Sequence, residues 1–388
     1  MGSKRCVKRV TIVIGTLSVG GTETQIALLS EGLLARDWSV EVFVLDARGP
    51  LMPRLERAGI PFIDGGYRSR SKSRLMWLIA LARSGLKLTW HLCRARPHVV
   101  HGFLPLTNFY AALAGFLTRR PLIVTSKRAL GYHQERHPKL RWLDLFSNKF
   151  SHIVTANSRA VAIDTARRDK YPIADIKIIY NGLDFSRFEY VGALRNNQRK
   201  DLNLNADEVA VAIVANIIEY KGHADLLKAF GIVVNSHPKC RLFVIGDDSG
   251  IRDDLIAAIA EAPWCQKIHF LDQRQDVPEL LSAMDIGVLA SHEEGLSNAL
   301  LEKLAAGLPV VVTDVGGNRE AVEGMPNCLL VRPKDPVDLA RGLLEVIGSL
   351  PSDEPNRQER RLRVRKRFSV GAMIDSYEQL YLSRSTNA

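Results

Sequence analysis

Two doubly wound α/β domains, each built on its own parallel sheet, are what this sequence predicts. Three observations carry the prediction. Short apolar, β-branched runs recur at roughly 20 to 30 residue spacing, with helical patterning between them. Their apolar character suits strands buried inside a sheet covered by helices. The length of 388 residues exceeds one ordinary core and fits two domains of common size. The boundaries expected are an N-terminal domain over 1–185, a second over 186–365, and a tail helix over 366–388.

Bulk composition removes several classes. With 46% apolar and 24% charged residues the chain is not a disordered one. No apolar run reaches the roughly 18 to 20 residues that span a bilayer, and MGSKRCVKRV lacks a signal-peptide core, so a cytoplasmic location is expected. Cys6, Cys93, Cys240, Cys265 and Cys328 are scattered and never form a C-x-x-C pair, which indicates neither a disulfide framework nor a zinc site. Residues 1–180 hold 29 Lys+Arg against 12 Asp+Glu, or +17, while 181–388 hold 24 against 30, or −6. That asymmetry points to a polyanion or an anionic membrane as a partner of the first half.

Taken in order, Arg9 to Ile14 is a first strand, followed by the glycine turn Gly15 to Gly21 and a helix carrying Ile26, Leu29, Leu33 and Leu34. GTLSVGG does not match G-x-G-x-x-G, so it is a poor dinucleotide fingerprint. Strands follow at Val40 to Leu45 and Ile60 to Ile63, with a helix over Pro50 to Gly59 between them. The basic run RSRSKSR then precedes an apolar helix, Leu75 to Leu92. That helix can pack on the sheet. Together with Arg68, Arg70, Lys72, Arg74 and Trp77 it can also lie against anionic lipid, each base contributing roughly 1 kcal/mol there.

His98 to Gly102 is the next strand, with His101 at its carboxyl end, and Leu104 to Leu117 is its helix. Leu122 to Ser126 ends in Lys127 and Arg128. The basic loop through Gly131, His133 and Arg136 is long enough to hold an anionic acceptor. Phe150 to Ala156 and Ile176 to Ile179 complete the first set of strands, and Arg195 to Asp201 reads as a polar connector. The second domain opens with VAVAIVA from Val209, then Lys221 before a helix with Leu226, Leu227 and Phe230. Strands at Arg241 to Ile245 and His269 to Leu271, and a helix over Val277 to Met284, lead to the most informative stretch.

That stretch is Leu289 to Thr313. Ile286 to Ala290 suits a buried strand, and Ser291 to Gly295 form a polar turn. A helix opens near Ser297, carries Leu300, Leu301, Leu304 and Ala305, and stops at Gly307 before Val310, Val311 and Val312. Its start, with free N–H groups and the positive dipole end, suits a phosphate. Asn298 and Glu302 are four apart and share a face, where a carboxylate can accept two hydrogen bonds from a ribose diol.

Glu294 and Glu302 have seven residues between them, Gly295 follows the first, and A-A-G-L-P-V-V follows the second. This resembles the E-x7-E signature of family 4 glycosyltransferases, which are retaining enzymes of the GT-B fold, two Rossmann-like domains facing a central cleft. GGTETQ resembles the family's GG-A-E loop, with Gly20, Gly21 and Glu23 at matching positions. YNGLDFSRF resembles the segment that closes the first domain. The family usually has G-R where Ala215 and Asn216 stand and K-G as at Lys221 and Gly222; here Asn216 replaces the arginine. Its H-x-H strand end is kept as His101, with Phe103 in the second place.

The resemblance implies roles. Glu294 would contact hydroxyls of the transferred sugar, Glu302 and Asn298 the donor nucleoside side, and Lys221, Leu296 and Ser297 the pyrophosphate. Asn216 offers neutral hydrogen bonds there, Gly20 and Gly21 a close approach to phosphate, and His101 a catalytic histidine. Lys127 and Arg128 would lie on the acceptor side. The donor is a UDP- or GDP-linked sugar with no other cofactor, and no D-x-D occurs to hold a metal. The acceptor expected is a lipid-linked glycan of bacterial surface polysaccharide synthesis, met at the inner face of the cell membrane, and the tail Val370 to Leu382 crosses back to the first domain.

Spacing removes other chemistries. HEEGL has Leu296 where a zincin needs its second histidine, and neither a G-x-S-x-G elbow nor a P-loop occurs. Nucleic-acid binding would account for the basic half but for nothing in 209–331. A sugar-nucleotide epimerase or a phosphorylase of the same fold is the alternative.

Overall fold

The computed structural model describes residues 8–18, 20–67, 74–188 and 192–383. The chain divides into two compact units, Met1–Gly182 with Val370–Ala388, and Leu183–Ser369.

The first unit holds seven strands: β1 (Arg9–Ile14), β2 (Ser39–Val44), β3 (Phe62–Asp64), β4 (Val99–Phe103), β5 (Leu122–Lys127), β6 (Ile153–Ala156) and β7 (Ile176–Ile178). They lie in the order β3-β2-β1-β4-β5-β6-β7 with parallel pairing throughout. Parallel neighbours need crossovers, and helices supply them. These are α1 (Gly21–Leu34), α2 (Met52–Arg57), α3 (Arg74–Ala95), α4 (Pro105–Leu117), α5 (Tyr132–Arg136), α6 (Arg141–Phe150) and α7 (Arg159–Asp169). β1, β4 and β5 are buried from both faces, which is why their sequences are apolar rather than alternating.

The second unit repeats the plan with β8 (Val209–Val214), β9 (Cys240–Ile245), β10 (Ile268–Phe270), β11 (Ile286–Leu289), β12 (Val310–Thr313) and β13 (Cys328–Val331), ordered β10-β9-β8-β11-β12-β13. Its helices are α8 (Gly192–Asp201), α9 (His223–Ser236), α10 (Arg252–Ile259), α11 (Val277–Ala283), α12 (Asn298–Ala305), α13 (Asn318–Val322), α14 (Pro336–Ser349) and α15 (Glu354–Phe368). In each sheet the strand order reverses beside the first strand, between β1 and β4 and between β8 and β11. Open α/β sheets take ligands outside the carboxyl ends of strands at such a point.

The last helix, α16 (Val370–Leu382), belongs to the first unit. Met373, Ile374, Tyr377 and Tyr381 are buried in the same core as Ile12, Ile26 and Leu33. Gly182 lies so close to Val370 and Met373 that a methyl group there would meet them at 2.9 and 3.1 Å.

Several elements differ from the sequence reading. Residues 192–201 form α8 rather than a connector, and Arg195 and Arg199 on it both bind Asp285 and, between them, the backbone carbonyls of Ser282, Ala283 and Met284. The supposed basic loop after β5 is largely helical, as α5 and α6. Among the expected lipid contacts, Arg68, Arg70 and Lys72 lie outside the described residues, as does the side chain of Arg74. Trp77 is part-buried, its indole N–H donating to the Tyr67 hydroxyl at 2.6 Å.

Candidate functional site

The second unit carries most of the residues expected to hold the donor. β8 ends at Val214 and β11 at Leu289, adjacent parallel strands in register from Ile286 opposite Val211. Past β8 the chain makes a tight turn over Glu219–Lys221 into α9, and past β11 it runs through Ser291 to Gly295 into α12. The two loops are pressed together by glycine. Gly222 has φ +72°, and a methyl group there would run into the carbonyl of Ala290. Gly316 has φ +53° and sits against the carbonyl of Glu294, while the Gly317 N–H donates to Gly295 O at 2.6 Å. The backbone of the Glu294 loop is thus clamped from two sides.

From these two loops project Lys221 and Glu294. The Lys221 ammonium donates to Glu294 Oε1 at 2.7 Å, and the Ser291 hydroxyl donates to the same oxygen at 2.7 Å. Their side chains are 19% and 9% exposed, so the pair is held at the surface of the fold without being free in solvent. Ser297 caps α12, accepting from the Leu300 N–H, as its residue type favours. α12 thus begins, with the positive end of its dipole, at the end of the loop that carries Glu294. Glu302 follows one turn after Asn298 on the same helix face.

Glu302 is partly covered, and burial pushes its carboxyl above the ordinary range, opposed by the charges of Lys303 and Arg187. Lys303 is fully buried. Burial pushes its ammonium down to about 8, against the pull of Glu302 and Glu294, and its Nζ donates to the Ala299 carbonyl at 3.2 Å. Its stem fills the space over Gly287, where a methyl group would collide at 2.6 Å. Asn216 is exposed at the end of β8 and offers its carbonyl to the His223 ring at 3.0 Å.

The sequence reading missed Ser291, Lys303 and the pair His292–Asp225, joined at 2.8 Å. Ser291 lay inside the quoted turn, and its proximity to Glu294 was the available signal. Lys303 carried none, because a lysine beside a glutamate in a helix reads as a solvated surface pair. The glycines of the turn Val315 to Asn318 also seat the Glu294 loop.

The carboxyl edge of the first sheet is a more buried place. Gly20 opens α1, and the Glu23 carboxylate folds back over it; burial raises the Glu23 carboxyl, with Arg128 opposing. Arg128 is buried, donates to Asn181 Oδ1 at 2.7 Å, and keeps its Nε buried with no partner. Lys127 binds Asp144 at 2.7 Å with Asp169 at 3.7 Å, so its charge is already neutralised below the surface. Of the two bases expected on the acceptor side, neither is presented to solvent.

His101 differs most from its expected place. It is fully buried, with Nδ1 against the Tyr381 hydroxyl at 2.6 Å and Nε2 against the Ser126 hydroxyl at 2.7 Å. Phe103 packs on it at 4.0 Å between ring centroids. Burial, reinforced by Arg128, holds the imidazole well below its usual pKa. A ring with both nitrogens committed ties β4 and β5 to α16, and it has no atom left to offer a substrate as placed. Directly after Phe103, Leu104 holds φ +74°, a strained conformation for a residue with a Cβ.

Among the described residues no group of three or more His, Cys, Asp or Glu side chains is placed to hold a metal ion.

Residues 19–187 match the family described as Glycosyltransferase Family 4, and residues 208–349 match Glycosyl transferases group 1. The capsular polysaccharide biosynthesis glycosyltransferase CapM of Staphylococcus aureus is 23% identical over 316 residues, 77% of this chain and 80% of its own. The UDP-Gal:alpha-D-GlcNAc-diphosphoundecaprenol alpha-1,3-galactosyltransferase of Escherichia coli is 21% identical over 80% of this chain and 81% of its own. The crystal structure of Anabaena HepE in complex with UDP matches with a TM-score of 0.84 at 20% identity, over 97% of this chain and 100% of that one. The same protein has also been crystallised with UDP-glucose. Fold and matches make this chain a glycosyltransferase of the GT-B fold class. It belongs to family 4, the group 1 glycosyltransferases.

Proposed function

We propose that this enzyme transfers a sugar, with retention at the anomeric carbon, from a UDP-linked donor to a lipid-linked glycan. The observation that carries the donor half is the Lys221–Glu294 pair at 2.7 Å beside the capped start of α12. A nucleotide-sugar presents a diphosphate, a ribose diol and a sugar with several hydroxyls. Lys221 and the first turn of α12 match the diphosphate, Glu302 and Asn298 the ribose, and Glu294 the sugar hydroxyls. The names of relatives support the rest, since HepE has been crystallised with UDP-glucose and the Escherichia coli relative is named for a diphosphoundecaprenol acceptor.

In the transfer step the bond between the anomeric carbon and the phosphate oxygen breaks, and the nucleoside diphosphate leaves with the electron pair. Charge grows on the leaving oxygen, and a fixed ammonium with aimed N–H donors stabilises it without reorganising. Retention brings the acceptor hydroxyl to the face that the diphosphate leaves. The hydroxyl oxygen forms the new bond there, and its proton passes to the departing diphosphate. Lys221 serves two partners in turn, Glu294 before the donor arrives and the diphosphate afterwards, which frees Glu294 for the sugar. His101 has no reacting role in this scheme; it fixes β4 and β5 to α16.

A thermal-shift screen of sugar nucleotides tests the donor assignment, because a ligand bound only by the native state raises the melting temperature. A rise with a UDP-sugar that Glu302→Gln removes supports the site. Anomeric analysis of the product by NMR separates retention from inversion, and conversion of the donor without transfer would favour an epimerase.

A further inference from the structure

Lys303 has no exposed surface. An ammonium so placed is costly unless it is paired and hydrogen-bonded. Two other buried bases meet that condition, Lys127 donating to Asp144 at 2.7 Å and Arg360 to Asp353 at 2.8 Å. The Lys303 ammonium donates to the Ala299 carbonyl at 3.2 Å and, among the described residues, to no carboxylate. A methionine would fill the same space without the charge.

The fold makes room for this side chain and sets its direction. Long side chains on a helix lean toward its start, and Lys303 runs back one turn to the carbonyl of Ala299 in the first turn of α12. Its stem lies against β11 at Gly287, where a methyl group would meet the Lys303 Cδ at 2.6 Å. The ammonium thus reaches the end of α12 into which the Glu294 loop leads.

The charges that face it are those of the proposed donor site. Glu302 of the same helix and Glu294 of the preceding loop attract it, and Lys221 opposes; Arg187 also acts on Glu302. Lys221 is the ammonium in contact with Glu294, while Asn216 at the end of β8 is neutral. When Lys221 turns to the diphosphate, both glutamates keep their negative charge beside a further anion. A cation held one layer below, with no carboxylate of its own, offsets that charge without competing for the ligand.

We infer that Lys303 is a positioning residue of the transfer reaction, whose buried charge keeps Glu294 and Glu302 ionised and turned to the donor after Lys221 has left Glu294. The inference rests on the donor assignment proposed above. Lys303 touches neither sugar nor phosphate in this role and acts through the two glutamates.

Steady-state kinetics across the neutral and alkaline range tests it, since kcat/KM reports ionisations of the free enzyme. Burial pushes the Lys303 ammonium down to about 8, so the charge is present below that pH and lost above it. Wild-type kcat/KM for the donor is therefore expected to fall as pH rises through about 8. Lys303→Arg should hold its kcat/KM over the same interval, because a guanidinium stays protonated. Lys303→Met should lower kcat/KM at neutral pH by about tenfold, less than the roughly 10² to 10³ carried by a donor in direct contact. Its melting temperature should stay at or above that of wild type, as an apolar side chain of similar length replaces a buried cation. A packing role alone predicts the reverse, a lower melting temperature with kcat/KM unchanged. Lys303→Met with wild-type kcat/KM would overturn the inference and leave the transfer reaction standing. So would Lys303→Arg that loses kcat/KM with wild type above pH 8, an outcome that decides the matter even where the methionine variant does not fold. A folded wild type that transfers no sugar would instead refute the reaction on which the inference rests.

Discussion

Lys221→Met isolates the charge at the centre of the proposed donor site. Methionine keeps most of the length and the apolar stem and removes the ammonium that lies 2.7 Å from Glu294 Oε1. With side chains only 19% and 9% exposed, screening by solvent is limited. A charge-assisted hydrogen bond in such a setting contributes about 1.5 to 3 kcal/mol net. The larger effect belongs to the reaction, because loss of one donor aimed at a developing negative charge lowers turnover by about 10² to 10³. Steady-state kinetics should therefore show kcat reduced by about a hundredfold or more, with a smaller change in KM, and urea unfolding should show about 1 to 3 kcal/mol of lost stability. Asn216→Ala is the control. Asn216 is exposed, and the bond it makes to His223 comes from its carbonyl, which alanine retains. Equal losses of kcat in the two variants, or a Lys221→Met enzyme of wild-type turnover, would show that the diphosphate is held elsewhere.

Glu302→Gln should weaken donor binding by about tenfold in calorimetry, because an amide accepts on one oxygen where the carboxylate accepts on two. The same change should raise the melting temperature of the ligand-free protein. Glu302 has its carboxyl raised by burial, so its charged form costs stability as pH rises through that value, and glutamine removes the charge. Donor affinity has the opposite sign. It is full above the raised pKa and falls as pH drops through it, so the fall should begin at a higher pH than an ordinary glutamate at 4.5 would give. Lys303→Met should move that midpoint upward, since it deletes the nearest charge favouring the ionised carboxyl, and an unmoved midpoint would uncouple the two groups. Gly316→Ala should destabilise the fold by about 1 to 3 kcal/mol in urea unfolding, because a β-carbon at φ +53° would press on the Glu294 carbonyl; wild-type stability would remove the clamp from the account.

What the sequence made legible was local. Lys221 lies seven residues past the end of β8, and Glu294, Ser297 and Glu302 lie five, eight and thirteen past the end of β11, so strand periodicity, a cap and a glycine stop were enough to put them on loops and on one helix face. What it hid was set by distant partners. His101 is committed to Tyr381, 280 residues away, and no spacing near a strand end announces that. Lys127 and Arg128 read as a basic patch because their partners, Asp144 and Asp169 for Lys127 and the Asn181 amide oxygen for Arg128, come from later elements. Residues 195–201 looked like a linker because they are polar, yet α8 forms since Arg195 and Arg199 find Asp285 on another element. Trp77 was expected among the lipid contacts, yet it turns toward Tyr67 while Leu86 and Trp90 on the same helix point outward, which only the fold shows.

The central claim is that a nucleotide-sugar bound at Lys221, Glu294 and Glu302 gives up its sugar to a lipid-linked acceptor. Its most direct test uses donors labelled in the sugar, each incubated with the enzyme and a bacterial lipid extract, and counts the label that enters the organic phase. The account predicts that at least one UDP-sugar labels the lipid fraction with wild type and none does with Glu294→Gln. A lipid fraction left unlabelled by every UDP-sugar, from an enzyme whose melting curve shows it folded, would contradict it.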